Sequence, residues 1–137
     1  MIEIMIVIVV IGILAAVAFP SYRIQMLKMK NPEGIRILMF VWEAQKEYSR
    51  ENGVYASNMA DLAIDNIPTP KYFLNPSLNT TSTQTCNSSP QLYIVKMHSR
   101  NDGYRLYALK DGRVVCVYPG VGCTASLCTK MGFPTDW

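Results

Sequence analysis

The chain has 137 residues, the size of one domain, half of them hydrophobic, with a formal net charge of +3. The first 19 residues take a large share of the apolar fraction, and the remainder has an ordinary soluble composition rich in Tyr, Asn, Ser and Thr. Residues 21–50 carry six basic and three acidic side chains and residues 51–137 carry seven and six, an excess too small to indicate a nucleic-acid partner from charge alone.

The first predicted element is MIEIMIVIVVIGILAAVAFPSY. From Ile4 to Tyr22 it is free of charge, and as an α-helix it would span roughly 28 Å, close to the hydrocarbon thickness of a bilayer. A secretory signal peptide would place basic residues before the apolar run and a small-residue cleavage site after it. Here Glu3 precedes the run and Ala-Phe-Pro-Ser-Tyr-Arg follows it. A plain anchor leaves Glu3 unexplained, because a carboxylate within a membrane is costly. Its place in the first helical turn, where the dipole favours an acid by about 0.3–1 kcal/mol, offsets only part of that cost.

Residues 2–22, IEIMIVIVVIGILAAVAFPSY, resemble the N-terminal signature of type IV pilins and of the pseudopilins of type II secretion. Glu3, Gly12 and Pro20 fall where that signature has its acid, a helix-loosening Gly and a Pro. The resemblance covers about a sixth of the chain. It implies a short basic leader removed by a prepilin peptidase, a methylated N-terminal amine and a first Phe. The chain starts about two residues late by that pattern, so residues ahead of Met1 are expected. It implies further that residues 1–24 hold the subunit in the inner membrane before the assembly machinery takes it up, and then form the core of a helical homopolymer. Glu3 is implied to pair with the N-terminal amine of a neighbouring subunit. The physics agrees, since pairing offsets part of the desolvation of a buried charge. Helix stacking would supply the attraction and the ion pair the axial register. Pro20 and Gly12 both weaken a helix, so the stretch between them is expected to bend or melt most readily when subunits pack.

Residues 25–137 are then expected to be a globular head. Asn31, Pro32 and Glu33 read as N-cap, first-turn proline and first-turn acid, which predicts a second helical segment over 32–52 set off from the first by a break or bend. Ile35, Leu38, Met39 and Trp42 recur at helical spacing, with Phe40, Val41, Ala44 and Tyr48 widening the apolar face. These aromatics read as a seam against a sheet and not as an electron-conducting stack. Asn52-Gly53 is a fitting stop, and KEYSRENGVYAS resembles the helix end of many pilins.

The region 56–90 reads as a loop, with a short helix over Ser57–Ile64 capped by Ser57 and with prolines 68, 70, 76 and 90 excluding long elements. Its hydroxyl-rich stretch, residues 75–90, reads as an exposed loop with glycan candidates at Thr80, Thr81, Ser82 and Ser88. Asn79-Thr80-Thr81 and Asn87-Ser88-Ser89 are formal sequons, though in a bacterial setting the hydroxyls are the better acceptors. A sheet over 91–118 comes next. Residues 92–97, 104–110 and 113–118 read as three antiparallel strands, with Asn101-Asp102-Gly103 and Asp111-Gly112 as turns. The last segment, 119–137, reads as a C-terminal loop.

Cys86, Cys116, Cys123 and Cys128 lie downstream of the apolar segment, which favours disulfides in an oxidising compartment. A zinc site usually needs close Cys-x2–4-Cys pairs, whereas only Cys123 and Cys128, separated by four residues, are close here and the other two stand alone. Four cysteines allow three pairings; the preferred one has Cys123–Cys128 closing the C-terminal loop and Cys86–Cys116 tying the variable loop to the third strand.

The implied fold is α+β: a long N-terminal helix packed against a small antiparallel sheet, with a disulfide-closed C-terminal loop. His98 is the lone histidine, and no paired carboxylates, phosphate loop or metal cluster accompanies it. No catalytic residue, metal or cofactor is therefore assigned, and no enzyme activity is expected. The expected function is that of a subunit of an extracellular type IV pilus serving adhesion, motility or DNA uptake. The alternative is a pseudopilin or minor pilin of a type II secretion-like system. Many pseudopilins carry an acidic calcium site near the C-terminus, whereas only Asp136 lies beyond Asp111 here. A membrane-anchored binding domain that never polymerises is a third reading, and Glu3 argues against it.

Overall fold

A computed structural model of the chain describes residues 2–64, 66–86, 89–123 and 125–134. Expected features at Asn87, Ser88 and Asp136, and at the side chains of Pro20, Cys86 and Ser89, lie outside the described residues. One helix, α1 (Ile2–Asn52), runs unbroken for 51 residues, so the break expected at Asn31-Pro32 is not there. An internal proline costs a helix about 3 kcal/mol. Pro32 sits on the exposed side, where water can take the Lys28 carbonyl that loses its donor. Packing on both flanks of the proline, at Leu27 and Leu38, holds the axis through it.

The described residues buried in α1 are Leu27, Asn31, Gly34, Ile37, Leu38, Val41 and Gln45; apart from Ile37, which widens the stripe, they are spaced four and three residues alternately. Three of these seven, Asn31, Gly34 and Gln45, are not large apolar residues, and each exception answers a particular partner. The Asn31 amide oxygen accepts from the Tyr104 hydroxyl at 2.6 Å, and its nitrogen donates to Met131 Sδ at 3.4 Å. This amide is therefore a core hydrogen bonder and not a helix cap. Burial, then the nearby Asp102 charge, raises the Tyr104 phenol well above its ordinary pKa, so it stays a donor. Gly34 gives up its side chain to the Phe73 ring: an added Cβ would lie 2.6 Å from Phe73 Cε2. The neighbouring Glu33 carboxylate accepts the backbone N–H groups of Lys71 and Tyr72 at 2.5 and 3.1 Å. Pro32-Glu33-Gly34, which reads in the sequence as a helix start, is thus the dock for segment 71–73. Gln45 clamps the returning chain, donating to Ala56 O at 2.7 Å and accepting from Ala56 N at 2.9 Å. Gln45→Leu would leave both buried groups of Ala56 without a partner. It is expected to destabilise the head by about 2–3 kcal/mol in urea unfolding; an unchanged midpoint would show that the clamp is dispensable.

α1 ends where expected. Gly53 takes a positive φ of 75° and donates to Ser49 O. The helix predicted over Ser57–Ile64 is a single 3-10 turn, Met59–Asp61, capped by Asn58 and not by Ser57. The strands are β1 (Ser77–Leu78), β2 (Thr83–Cys86), β3 (Ser89–His98), β4 (Arg105–Leu109) and β5 (Val114–Val117), in the order β1-β3-β4-β5, with β2 also pairing β3. All pairs are antiparallel. The three predicted strands correspond to β3, β4 and β5, joined by turns in which Gly103 and Gly112 take φ of 74° and 90°. β1 and β2 lie in the stretch expected to be loop. The seam around Trp42 is present as expected: its indole N–H donates to Leu109 O at 2.9 Å. Phe40, expected on the apolar face, is 44 % exposed.

Strand alternation, interrupted on β3 by a register shift between Tyr93 and Val95, sorts the sheet into two faces. Ile94, Met97, Leu106, Ala108 and Cys116 share one core with α1. Tyr93, Tyr107, Leu109, Val115, Val117 and Cys123 form a second cluster on the outer side. The expected C-terminal loop holds a short helix, α2 (Ser126–Met131), which carries Cys128 and Met131 into the first core. Cys116 and Cys128 are bonded to each other, with Cα atoms 5.5 Å apart. Neither Cys123–Cys128 nor Cys86–Cys116 therefore forms. The reason is geometric, because Cys123 and Cys128 belong to cores on opposite sides of the sheet. Cys123 is itself in disulfide linkage. A bridge closing a loop of this length contributes about 3 kcal/mol. Cys116→Ala and Cys128→Ala are expected to lose that amount about equally in urea unfolding, and the double variant no more than either. Additive losses would overturn the pairing.

The apolar N-terminal helix and its carboxylate

Residues 2–22 of α1 lie outside the head. Eight consecutive residues, Ile4–Ile11, keep between 48 and 69 % of their surface exposed, and no direction around the axis is spared. Leu27 is the first buried residue among those described. Among the described residues one helix is therefore long and apolar enough to cross a membrane, near the N-terminus of the chain, with none of its apolar window buried. An apolar surface this continuous requires cover by lipid or by other protein.

Glu3 stands in the first turn of this helix. Among the described residues no ion pair or hydrogen bond includes it. Packing the helix into an apolar setting would strip water from that carboxylate, and the charge becomes tolerable there only beside a cation. An added Cβ at Gly12 would meet nothing within 4 Å. The chain's own fold therefore sets no steric demand for glycine there. Pro20 lies inside the helix, which continues through it.

The remaining expected site residues are scattered over the head. Thr80 is half-buried, and Thr81 and Ser82 are exposed beside β2. The Asn79 amide nitrogen is occupied, donating to Ser82 O at 2.7 Å and Tyr93 O at 3.0 Å. A glycan on that nitrogen would have to break both bonds, whereas Thr81 and Ser82 stand clear. Asn31, Gly34 and Gln45, which seat the head on the helix, carried no apolar periodicity by which the sequence could reveal them. The only local hint was the pairing of Asn31 and Gly34 at helical spacing with Leu38. Comparison of the chain with family models, curated proteins and solved structures finds no match.

Proposed function

We propose that this chain is a pilin-type structural subunit, which polymerises through its apolar N-terminal helix into a filament carrying the α+β head on its surface. The observation that carries this reading is Glu3: a carboxylate without a partner among the described residues, placed just ahead of a stretch of α1, residues 4–22, that is free of charge and exposed around its axis from Ile4 to Ile11. A lipid anchor alone has no use for that acid. A helix that leaves the bilayer to pack against copies of itself does, because the N-terminal amine of a neighbour would pair with it in a water-free core. The resemblance of residues 2–22 to type IV pilins and pseudopilins points the same way. On this reading the subunit resides in the inner membrane before assembly and in an extracellular pilus afterwards, and its partners are copies of itself, the assembly machinery and the prepilin peptidase.

The test is intact-mass spectrometry on filaments sheared from the cell surface. A dominant species containing this chain, with its disulfides and a methylated amine, is the expected result. If the chain is absent from sheared material and present in the membrane fraction, the pilus reading falls and a secretion pseudopilin or an anchored domain takes its place.

A further inference from the structure

Two cationic side chains and an imidazole gather on the outer face of the sheet, and among the described residues no carboxylate pairs with them. The β3–β4 register sets His98 opposite Arg105 and Lys96 opposite Tyr107. The twofold alternation of strands turns Lys96, His98 and Arg105 to the same face. Arg105 faces Val117 on its other side, and Ser77 of β1 lies opposite Lys96. All three side chains are half-buried. Among the described residues the ion pairs are Lys30–Asp102, Arg50–Glu47 and Arg113–Asp111, none involving these side chains. The Lys96 ammonium lies 6.0 Å from the centre of the Tyr93 ring. Like charges directly opposite on a ladder destabilise it, so protonation of His98 opposite Arg105 works against the sheet unless an anion answers it.

We propose that Lys96, His98 and Arg105, with the Ser77 hydroxyl at the rim, form a binding site for a tetrahedral oxyanion, a phosphate or sulfate group. The planar Arg105 fork matches two oxygens of such a group, Lys96 adds a mobile charge, and protonated His98 donates a third bond. An anion seated there offsets the repulsion between Lys96 and Arg105 and favours the protonated form of His98. The imidazole registers the charges around it: burial, then the Arg105 and Lys96 charges, hold its pKa below the ordinary value. Binding reverses the electrostatic part of that shift and takes up a proton, so affinity rises as pH falls.

His98 is the chain's one histidine, so its imidazole resonances are unambiguous in the full chain held in dodecyl maltoside micelles. A pH titration would be run with sodium sulfate and with sodium chloride at matched ionic strength. The expected result is a saturable, sulfate-dependent rise of the His98 midpoint by about one pH unit, without a comparable rise in chloride. Arg105→Gln should raise the midpoint before any sulfate is added and abolish the sulfate response. Lys96→Gln, on the other strand, should weaken apparent sulfate affinity severalfold. Equal, non-saturating shifts in the two salts would overturn the site, as would a full sulfate response in both variants.

Discussion

Glu3→Ala is expected to abolish surface filaments, lowering the chain in sheared material at least about tenfold, while the membrane-bound subunit stays at its normal level. Removing one partner from a buried ion pair costs about 3–5 kcal/mol, because the other charge is left alone in a dry environment. At 1.4 kcal/mol per tenfold change in an equilibrium constant, that loss exceeds a factor of ten for each contact in a polymer. The head is untouched, since Glu3 makes no contact with it. The insertion of the helix does not suffer either, because a carboxylate is removed from an apolar segment. Glu3→Gln should behave as Glu3→Ala does, since the amide keeps the shape and loses the charge. Immunoblots of sheared and membrane fractions decide the matter. Normal piliation in either variant would sink the ion-pair account, and loss of the subunit from both fractions would show that Glu3 serves stability instead.

Phe73→Ala is expected to destabilise the head by about 3–5 kcal/mol. The ring is fully buried, meets Tyr104 edge-on with centroids 5.9 Å apart, and fills the notch left by Gly34. A companion result carries the sign that distinguishes packing from propensity. Ala is favoured over Gly in a helix interior by about 1 kcal/mol, yet Gly34→Ala is expected to destabilise, since its Cβ would overlap the ring and overpacking costs about 1–3 kcal/mol. Gly34→Ala combined with Phe73→Leu should be more stable than the sum of the two single changes, because the smaller side chain vacates the space the methyl needs. Urea unfolding of the full chain in detergent, followed by near-ultraviolet circular dichroism, measures all four proteins. A stabilised Gly34→Ala variant would show that the ring yields easily and that the notch is not a constraint.

Much of the architecture was legible in the chain because it rests on local chemistry. Three strands and their turns announced themselves through alternation and the Asp-Gly and Asn-Asp-Gly turns, and the C-terminal end of α1 through Asn52-Gly53. The features that local reading missed lie where distant partners decide. Asn31-Pro32-Glu33-Gly34 has the composition of a helix start. It is interior helix because Tyr104, Met131 and the 71–73 backbone claim its side chains. The apolar face was drawn through Met39 and Phe40, while the buried stripe runs through Gly34 and Gln45. β1 and β2 have little strand character of their own; the edge of β3 supplies their hydrogen bonds.

The sequence by itself determined the charge-free segment at residues 4–22, its solitary acid and the α+β composition of residues 25–137, because hydrophobicity, charge and turn chemistry act over a few residues. Only the tertiary structure decided that α1 is continuous, that Cys116 takes Cys128, and that Lys96, His98 and Arg105 share one face. Each of these depends on which side of the sheet a residue reaches, and that is fixed by strand register and by the seating of the helix, quantities that no local stretch of the chain contains.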